Sequence, residues 1–217
     1  MRIQQRYYLL ILLIAIGLTT LAQNDQSAAK LKPITRAEMI ERAKAAAFHN
    51  WTCQQKNTVA SCPQSKPYAS DFKAGENVTG IPYDWGGFDH PEQFDRKIAE
   101  GQAAGSHSKH GVTSCTTGLD CSGFVSYCWN QPQKYGTSTI RAIAAKPKYN
   151  WFTDMKPGDV FNKAGDHIIL FAEYNAEGLP VVYEASGGKG KVVKRPWTWA
   201  KLKKYIPLQY RLVMEDD

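Results

Sequence analysis

The chain has 217 residues, 22% of them charged and 12% aromatic, and a formal net charge of +7. This composition is ordinary for a globular domain, and we find no internal repeat, low-complexity tract or long linker. The length therefore favours one domain over two.

The first 22 residues are typical of a secretory signal peptide. Arg2 and Arg6 precede an apolar run over Leu9–Leu18, and small residues follow up to Ala22. Because the run is shorter than the ~20 residues that span a bilayer, we expect cleavage after Ala22 rather than a membrane anchor. The mature chain, 23–217, is then expected to be a single periplasmic or secreted domain, monomeric and without a membrane span.

Two helices are predicted before residue 118. Thr35 and Glu38 have the spacing of a capping box and open a helix with apolar Met39 and Ala43 on one face. A second helix is expected over 91–102. The segment between them, 51–82, is rich in Ser, Pro, Asn and Gly and is expected to be irregular.

A third helix is expected to begin at Cys121, in "DCSGFVSYCWNQ", and to end before Pro132. Asp120 precedes it, at a position where aspartate commonly caps a helix. Apolar positions at helical spacing predict one buried stripe: Cys121, Phe124, Val125, Cys128 and Trp129.

After Pro157 the pattern changes to short β-branched and aromatic runs, "GDVFN", "HIILFAEY", "VVYEAS", "KVVKR" and "LQYRLV". The stretches "NAEGLP" and "GGKG" are predicted turns between them. Helices followed by an antiparallel meander predict an α+β fold.

Cys121 at a helix start is either half of a disulfide or a nucleophile, because unpaired amides and the helix dipole stabilise a thiolate there. His167 opens one predicted strand and Glu184 lies on the next. Neighbouring antiparallel strands hold opposed Cβ atoms ~4.5–5.5 Å apart, so the carboxylate can reach the imidazole. The three residues predict a nucleophile, its base and an orienting acid. The alternatives are a buried cysteine, a structural histidine and a solvent-facing acid.

Four motifs in order resemble those of the NlpC-type cell-wall cysteine peptidases, a papain-like group: "PYDWGG" (82–87), "LDCSGFVSY" (119–127), "GDHIILFAEY" (165–174) and "YEASG" (183–187). The resemblance implies a papain-like domain that hydrolyses stem-peptide bonds of peptidoglycan, commonly between γ-D-glutamyl and a diamino acid. It also implies that Cys121 is the nucleophile, His167 the base and Glu184 the residue that orients the base.

The same resemblance implies substrate contacts. Tyr83 is expected beside the thiol, and Asp120 and Ser122 are expected to contact a free amine, that of the N-terminal L-Ala of a trimmed stem peptide. Two alternatives stay open from the residues themselves. Tyr83 is otherwise a core aromatic, and Asp120 a plain helix cap.

The basic run near the end of the chain indicates what kind of partner to expect. Residues 189–204 contain seven Lys or Arg and no acid, which favours an anionic polymer such as cell wall, or forms a solvated face. We expect no nucleic-acid partner, because no recognisable motif accompanies the run.

His107 and His110, with His90 nearby, have no thiolate partner or HExxH pattern, so we expect no metal and no cofactor.

Five cysteines leave one unpaired. With Cys121 as nucleophile, the other four permit three pairings. The pairing we expect is Cys53 with Cys62, which closes the shortest loop, and Cys115 with Cys128.

Three functions fit these observations. The first is a peptidoglycan endopeptidase. The second uses the same triad on a different bond, as in an N-acetylmuramoyl-L-alanine amidase or a thiol acyltransferase. The third is a non-catalytic wall-binding protein, which need not carry all three triad residues.

Overall fold

The structure is a computed structural model of the chain, and it describes residues 31–62 and 67–215. The predicted signal peptide, 1–22, lies outside the described residues and stays a prediction. None of the described helices combines the length and the apolar character needed to cross a bilayer.

The described residues contain four α-helices, which we number α1 (Arg36–Ala47), α2 (Pro91–Glu100), α3 (Cys121–Cys128) and α4 (Trp199–Leu202). The strands in chain order are β1 (Ile34–Thr35), β2 (Asn50–Thr52), β3 (Val59–Ala60), β4 (Tyr68–Ala69), β5 (Asn77–Thr79), β6 (Ala103–Ala104), β7 (Thr116–Thr117), β8 (Ala144–Ala145), β9 (Val160–Lys163), β10 (His167–Tyr174), β11 (Pro180–Ser186), β12 (Lys191–Pro196), β13 (Ile206–Tyr210) and β14 (Val213–Met214).

The main sheet has six strands in the order β12-β11-β10-β9-β13-β8. Strands β9 to β12 pair antiparallel with their neighbours in sequence, which confirms the α+β class and the meander for the first four predicted strands. The fifth, β13, pairs instead with β9, on the side away from β10. The "NAEGLP" turn closes the β10–β11 hairpin, with Leu179 N–H donating to the Asn175 side chain at 2.8 Å. Such a side-chain bond to the local backbone is what favours asparagine in turns.

Helix α1 begins as the sequence predicts. The Thr35 hydroxyl accepts a hydrogen bond from the Glu38 amide at 3.2 Å, and the Glu38 carboxylate accepts one from the Thr35 amide at 2.9 Å. Met39 and Ala43 are fully buried, and the helix packs against α3 and β12. Helix α2 matches its prediction too, ending at Gly101, whose φ of 96° suits a left-handed cap.

Helix α3 differs from its prediction in one respect. All eight of its residues are buried, not only the five-residue stripe, because α1 lies on one side of it and strands β10 and β11 on another. The loop at 84–88 closes a further side. A Cβ on Gly123 would collide with the carbonyl oxygen of Gly87, so glycine at position 123 lets the two backbones meet.

The segment 51–82 is more ordered than predicted. Strand β2 pairs with β5 and β3 with β4, and the Trp51 indole donates to the Gly80 carbonyl at 3.1 Å. Two- and three-residue strands carry too few residues for the alternation on which strand prediction depends.

The predicted disulfide pairing is wrong. The structure joins Cys62 to Cys115, with their Cα atoms 5.5 Å apart, and leaves Cys53, Cys121 and Cys128 as free thiols. Cys53 and Cys128 are each fully buried in the hydrophobic core. Loop length along the chain does not report which side chains face each other, and that geometry decides pairing.

Candidate active site

The meander brings His167 and Glu184 together. His167 is the first residue of β10, and Glu184 lies inside β11. Their side chains meet across the two strands, with His167 Nε2 2.7 Å from Glu184 Oε2. The Glu184 side chain is only 1% exposed, so the solvent-facing alternative does not describe it.

Two further side chains hold the Glu184 carboxylate. Arg195 Nε donates to Oε1 at 2.6 Å, and Trp197 Nε1 donates to the same oxygen at 2.8 Å. Burial by itself would raise the pKa of Glu184, but hydrogen bonds from His167, Arg195 and Trp197 lower it below its ordinary value. The carboxylate therefore stays charged inside the protein.

Sequence reasoning missed Arg195 and Trp197, although a signal for Arg195 exists. Arg195 pairs with Val182 in the β11–β12 register, two residues from Glu184 on the same strand face. Diagonal neighbours in an antiparallel pair are within reach of long side chains. A basic residue at that register position was therefore a candidate partner for Glu184.

The pKa of His167 is raised to about 9. Burial works against this by disfavouring the charged ring, but hydrogen bonding with Cys121 and Glu184 and the charges of both residues outweigh it. The ring also lies nearly parallel to that of Trp197, with centroids 6.1 Å apart. The surroundings thus favour an imidazolium placed between a thiol and a carboxylate.

Cys121 is the first residue of α3 and is 7% exposed. The amides of Cys121 and Ser122, the first two of the helix, have no partner inside the helix, so they are placed to stabilise negative charge near the sulfur. With His167 beside it, the free thiol has the surroundings of an activated nucleophile.

Tyr83 lies beside the thiol. Burial is the main cause that raises its pKa, and the nearby charges of Cys121 and Asp120 add to it. Its ring packs on Gly187, where a Cβ would come within 3.4 Å. Its amide donates to the Gly190 carbonyl at 2.8 Å. The "PYDWGG" motif and the "GGKG" turn thus meet beside Cys121.

Asp120 and Ser122 hydrogen-bond to each other and to the surrounding backbone. Asp120 Oδ1 accepts from the Gly123 amide at 2.6 Å and from the Ser122 hydroxyl at 2.9 Å. Oδ2 accepts from the Gly86 amide at 3.1 Å and forms an ion pair with Lys134. Asp120 therefore caps α3, as its alternative holds, and also ties the helix start to the 84–88 loop.

That loop contains a second buried carboxylate that sequence reasoning missed. Asp84 is 4% exposed, and burial raises its pKa to about 6 even though Ser106 and Thr116 donate hydrogen bonds to it. The Ser106 hydroxyl lies 2.5 Å from the carboxylate and accepts from the Trp85 amide at 2.9 Å. Asp84 and Ser106 together fix the loop that contacts the start of α3.

The three histidines considered above as metal ligands each contact a different side chain. His107 pairs with Asp71 at 2.6 Å, His90 pairs with Glu92 at 2.8 Å, and His110 stacks on Tyr68. In the part of the chain that the structure describes, no group of three or more His, Cys, Asp or Glu side chains is placed to hold a metal ion.

The basic run is divided by its environment. Arg195 binds Glu184, and Lys194 pairs with Glu173 at 2.8 Å. Lys201, Lys203 and Lys204 are all exposed, and the Lys201 ammonium lies 6.0 Å from the centre of the Trp197 ring. Within the basic run, Arg195 therefore belongs to the candidate active site, whereas Lys203 and Lys204 face solvent.

A scan against protein-family models and a search of curated proteins find no match. Among solved structures, the P60 domain of the antigen MAP1204 from M. avium subspecies paratuberculosis is similar to this chain. It has 16% identity and a TM-score of 0.45, and the match covers 82% of this chain and 95% of that one. The peptidoglycan hydrolase RipB from Mycobacterium tuberculosis is also similar, with 15% identity, a TM-score of 0.38, and coverage of 82% and 65%. At these identities and TM-scores we draw no conclusion from the likeness, and what the site can do chemically follows from the geometry around Cys121.

Proposed function

We propose that this protein is a cysteine hydrolase of the NlpC type that cleaves stem-peptide bonds of peptidoglycan. The observation that carries the proposal is the array at the start of α3. A free thiol stands beside a His167 ring that is 2.7 Å from a buried, charged Glu184. A nucleophile, a base and an orienting acid in this arrangement are what covalent acyl transfer requires.

In the first half of the proposed reaction, the Cys121 thiolate attacks the carbonyl carbon of the scissile amide. The oxygen gains negative charge, and the Cys121 backbone N–H at the helix start donates a hydrogen bond to it. The His167 imidazolium then gives its proton to the leaving amine as the C–N bond breaks. The products of this half are a free amine and a thioester on Cys121.

In the second half, water attacks the thioester and His167 accepts its proton. The C–S bond breaks, the carboxylic acid leaves, and the Cys121 thiolate and the His167 imidazolium are restored. Glu184 stays charged throughout and holds the ring in place, and Arg195 and Trp197 hold Glu184. The Tyr83 hydroxyl is a second candidate donor to the carbonyl oxygen, because its ring lies beside the thiol.

For the bond, we propose the one between γ-D-glutamyl and the diamino acid, since that is what the family resemblance implies. The exposed lysines of 189–204 would favour an anionic wall polymer as the partner. We propose a periplasmic or secreted location, with which the disulfide between Cys62 and Cys115 is compatible, because such bonds persist in oxidising compartments.

Digestion of purified muropeptides, with product masses read by mass spectrometry, tests the proposal. An endopeptidase leaves a sugar-linked dipeptide that ends in glutamate and releases the peptide that begins with the diamino acid. An amidase releases the whole stem from the sugar, and an acyltransferase yields a product with a new amide and no added water.

A protein that binds the muropeptides and leaves their masses unchanged would be a wall-binding protein, and the proposal would be wrong. The Cys121→Ala variant is the matched control, because any cleavage it retains belongs to a contaminant.

A further inference from the structure

Every acceptor position of the Asp120 carboxylate is occupied from within the protein. A carboxylate has about four lone-pair positions, and Asp120 receives four donors. These are the amides of Gly86 and Gly123, the Ser122 hydroxyl and the Lys134 ammonium. The residue is 7% exposed. A substrate ammonium would have to displace one of these partners.

Lys134 is the partner that decides the charge at this point. Its ammonium forms an ion pair with Asp120 Oδ2, and its side chain is 25% exposed. The position beside Asp120 that the family resemblance assigns to a substrate ammonium is thus filled by a cation of the protein itself. A second ammonium there would be repelled by the first, and its own carboxylate partner would be missing.

The backbone next to Lys134 is anchored to α3. The Tyr135 amide donates to the Ser126 hydroxyl at 2.9 Å, and the same hydroxyl donates to the Ser122 carbonyl at 2.8 Å. The Lys134 side chain therefore starts from a fixed point close to the nucleophile. Swinging it into solvent would leave the Asp120 charge buried and without its cation, which is costly.

We propose that Lys134 excludes stem peptides with a free N-terminal amine and selects those whose first alanine nitrogen is acylated. This inference rests on the proposed function and names its substrate class. An acylated nitrogen carries no charge, so Lys134 does not repel it. An ammonium also has three donors, and one that Asp120 does not use can bind the acyl carbonyl oxygen. Repulsion of the wrong partner is a common source of specificity.

The test is a binding measurement that does not depend on cleavage. Two peptides with the sequence L-Ala-γ-D-Glu-diamino acid, one with a free amine and one N-acetylated, are titrated calorimetrically into the purified Cys121→Ala variant. We expect the acetylated peptide to bind about 10-fold tighter or more. Adding Lys134→Met should bring the ratio close to one, chiefly by tightening binding of the free amine.

Two further variants complete the experiment. Lys134→Gln removes the charge and keeps a hydrogen-bond donor, so it gives the same reading if Lys134→Met does not fold. Lys194→Met also removes one positive charge, but Lys194 pairs with Glu173 and not with Asp120. We expect Lys194→Met to leave the ratio at its wild-type value.

Tighter or equal binding of the free-amine peptide, a ratio unchanged by both Lys134 variants, or binding of neither peptide would overturn the inference. A separate outcome would reject the proposed function without rejecting this inference. If the protein with Cys121 intact cuts neither peptide while the Cys121→Ala variant still prefers the acetylated one, the hydrolase is wrong and the selection by Lys134 stands.

Discussion

The two ends of helix α3 each carry a cysteine, and their surroundings are opposite. Cys121 at the first position lies beside His167 and charged groups that hold the site together. Cys128 at the last position is fully buried, and burial raises its pKa far above the ordinary value even though Arg42 is nearby. The same side chain on the same helix is thus set up for reaction at one end and for packing at the other.

This contrast shows which part of the environment matters. Both thiols have low exposure, 7% for Cys121 and 0% for Cys128, so a small exposed fraction does not by itself distinguish them. What separates them is a partner that can take or give a proton, and the direction of the helix dipole, which favours an anion at the amino end alone. Reactivity therefore follows from position along the helix and from the strand opposite it.

The largest expected effect compares the two cysteines by substitution. Cys121→Ala should lower muropeptide hydrolysis by ~1000-fold or more, because no nucleophile remains. Cys128→Ala should keep kcat close to wild type and reduce the free energy of unfolding by about 1–3 kcal/mol, through lost packing. Rates on muropeptides and urea unfolding curves measure both. Residual activity near wild type in Cys121→Ala would break the contrast.

Alkylation compares the same thiols in the unmodified protein. Iodoacetamide should label Cys121 and inactivate the enzyme, while Cys53 and Cys128 react at least ~100-fold more slowly, since they require local opening. Peptide mapping after short exposure identifies the labelled residue, and repetition in denaturant should label all three. Early label on Cys128 would mean that its end of the helix opens readily.

Glu184→Gln sharpens the contrast by weakening only the amino-terminal end. Loss of the carboxylate removes a charge that favours the imidazolium, so kcat should fall ~10–1000-fold while substrate binding changes little. Because the imidazolium in turn stabilises the thiolate, the acid limb of the alkylation rate should move to higher pH.

The matched control is Glu173→Gln, on the neighbouring strand, where the carboxylate is 59% exposed and pairs with Lys194. Its kcat should stay near wild type. If both variants behave alike, then another group orients His167.

The smallest expected effect concerns Asp84, the buried carboxylate of the loop that contacts the start of α3. The pKa of Asp84 is about 6 in the folded protein, above its ordinary value of 3.8, so ionising it costs stability as pH rises from 3.8 through 6. Asp84→Asn should therefore gain about 1–3 kcal/mol relative to wild type between pH 4 and pH 7.5. Urea unfolding of both proteins at the two pH values measures the change. A difference that is independent of pH would show that the carboxylate is already compensated by its hydrogen bonds.

Much of this architecture is visible in the sequence, because it depends on local periodicity. The Thr35 and Glu38 capping box, the start of α3 at Cys121 and the bounds of β10 follow from side chains close together in the chain. That His167 and Glu184 lie on neighbouring strands is also visible in the sequence, but the register that pairs Leu170 with Tyr183 and makes their contact diagonal comes from the folded sheet. Helix starts and strand bounds that depend on residues close together in the chain can be predicted from a single sequence.

The tertiary structure alone decided which distant groups meet. The Cys62–Cys115 disulfide, the enclosure of every face of α3 and the ion pair of Lys134 with Asp120 join segments whose approach depends on how loops pack. The sequence places a cysteine at a helix start by local rules. Only the fold surrounds one end of that helix with charge and the other with apolar side chains, because burial and Coulomb interactions depend on distance in space and not along the chain.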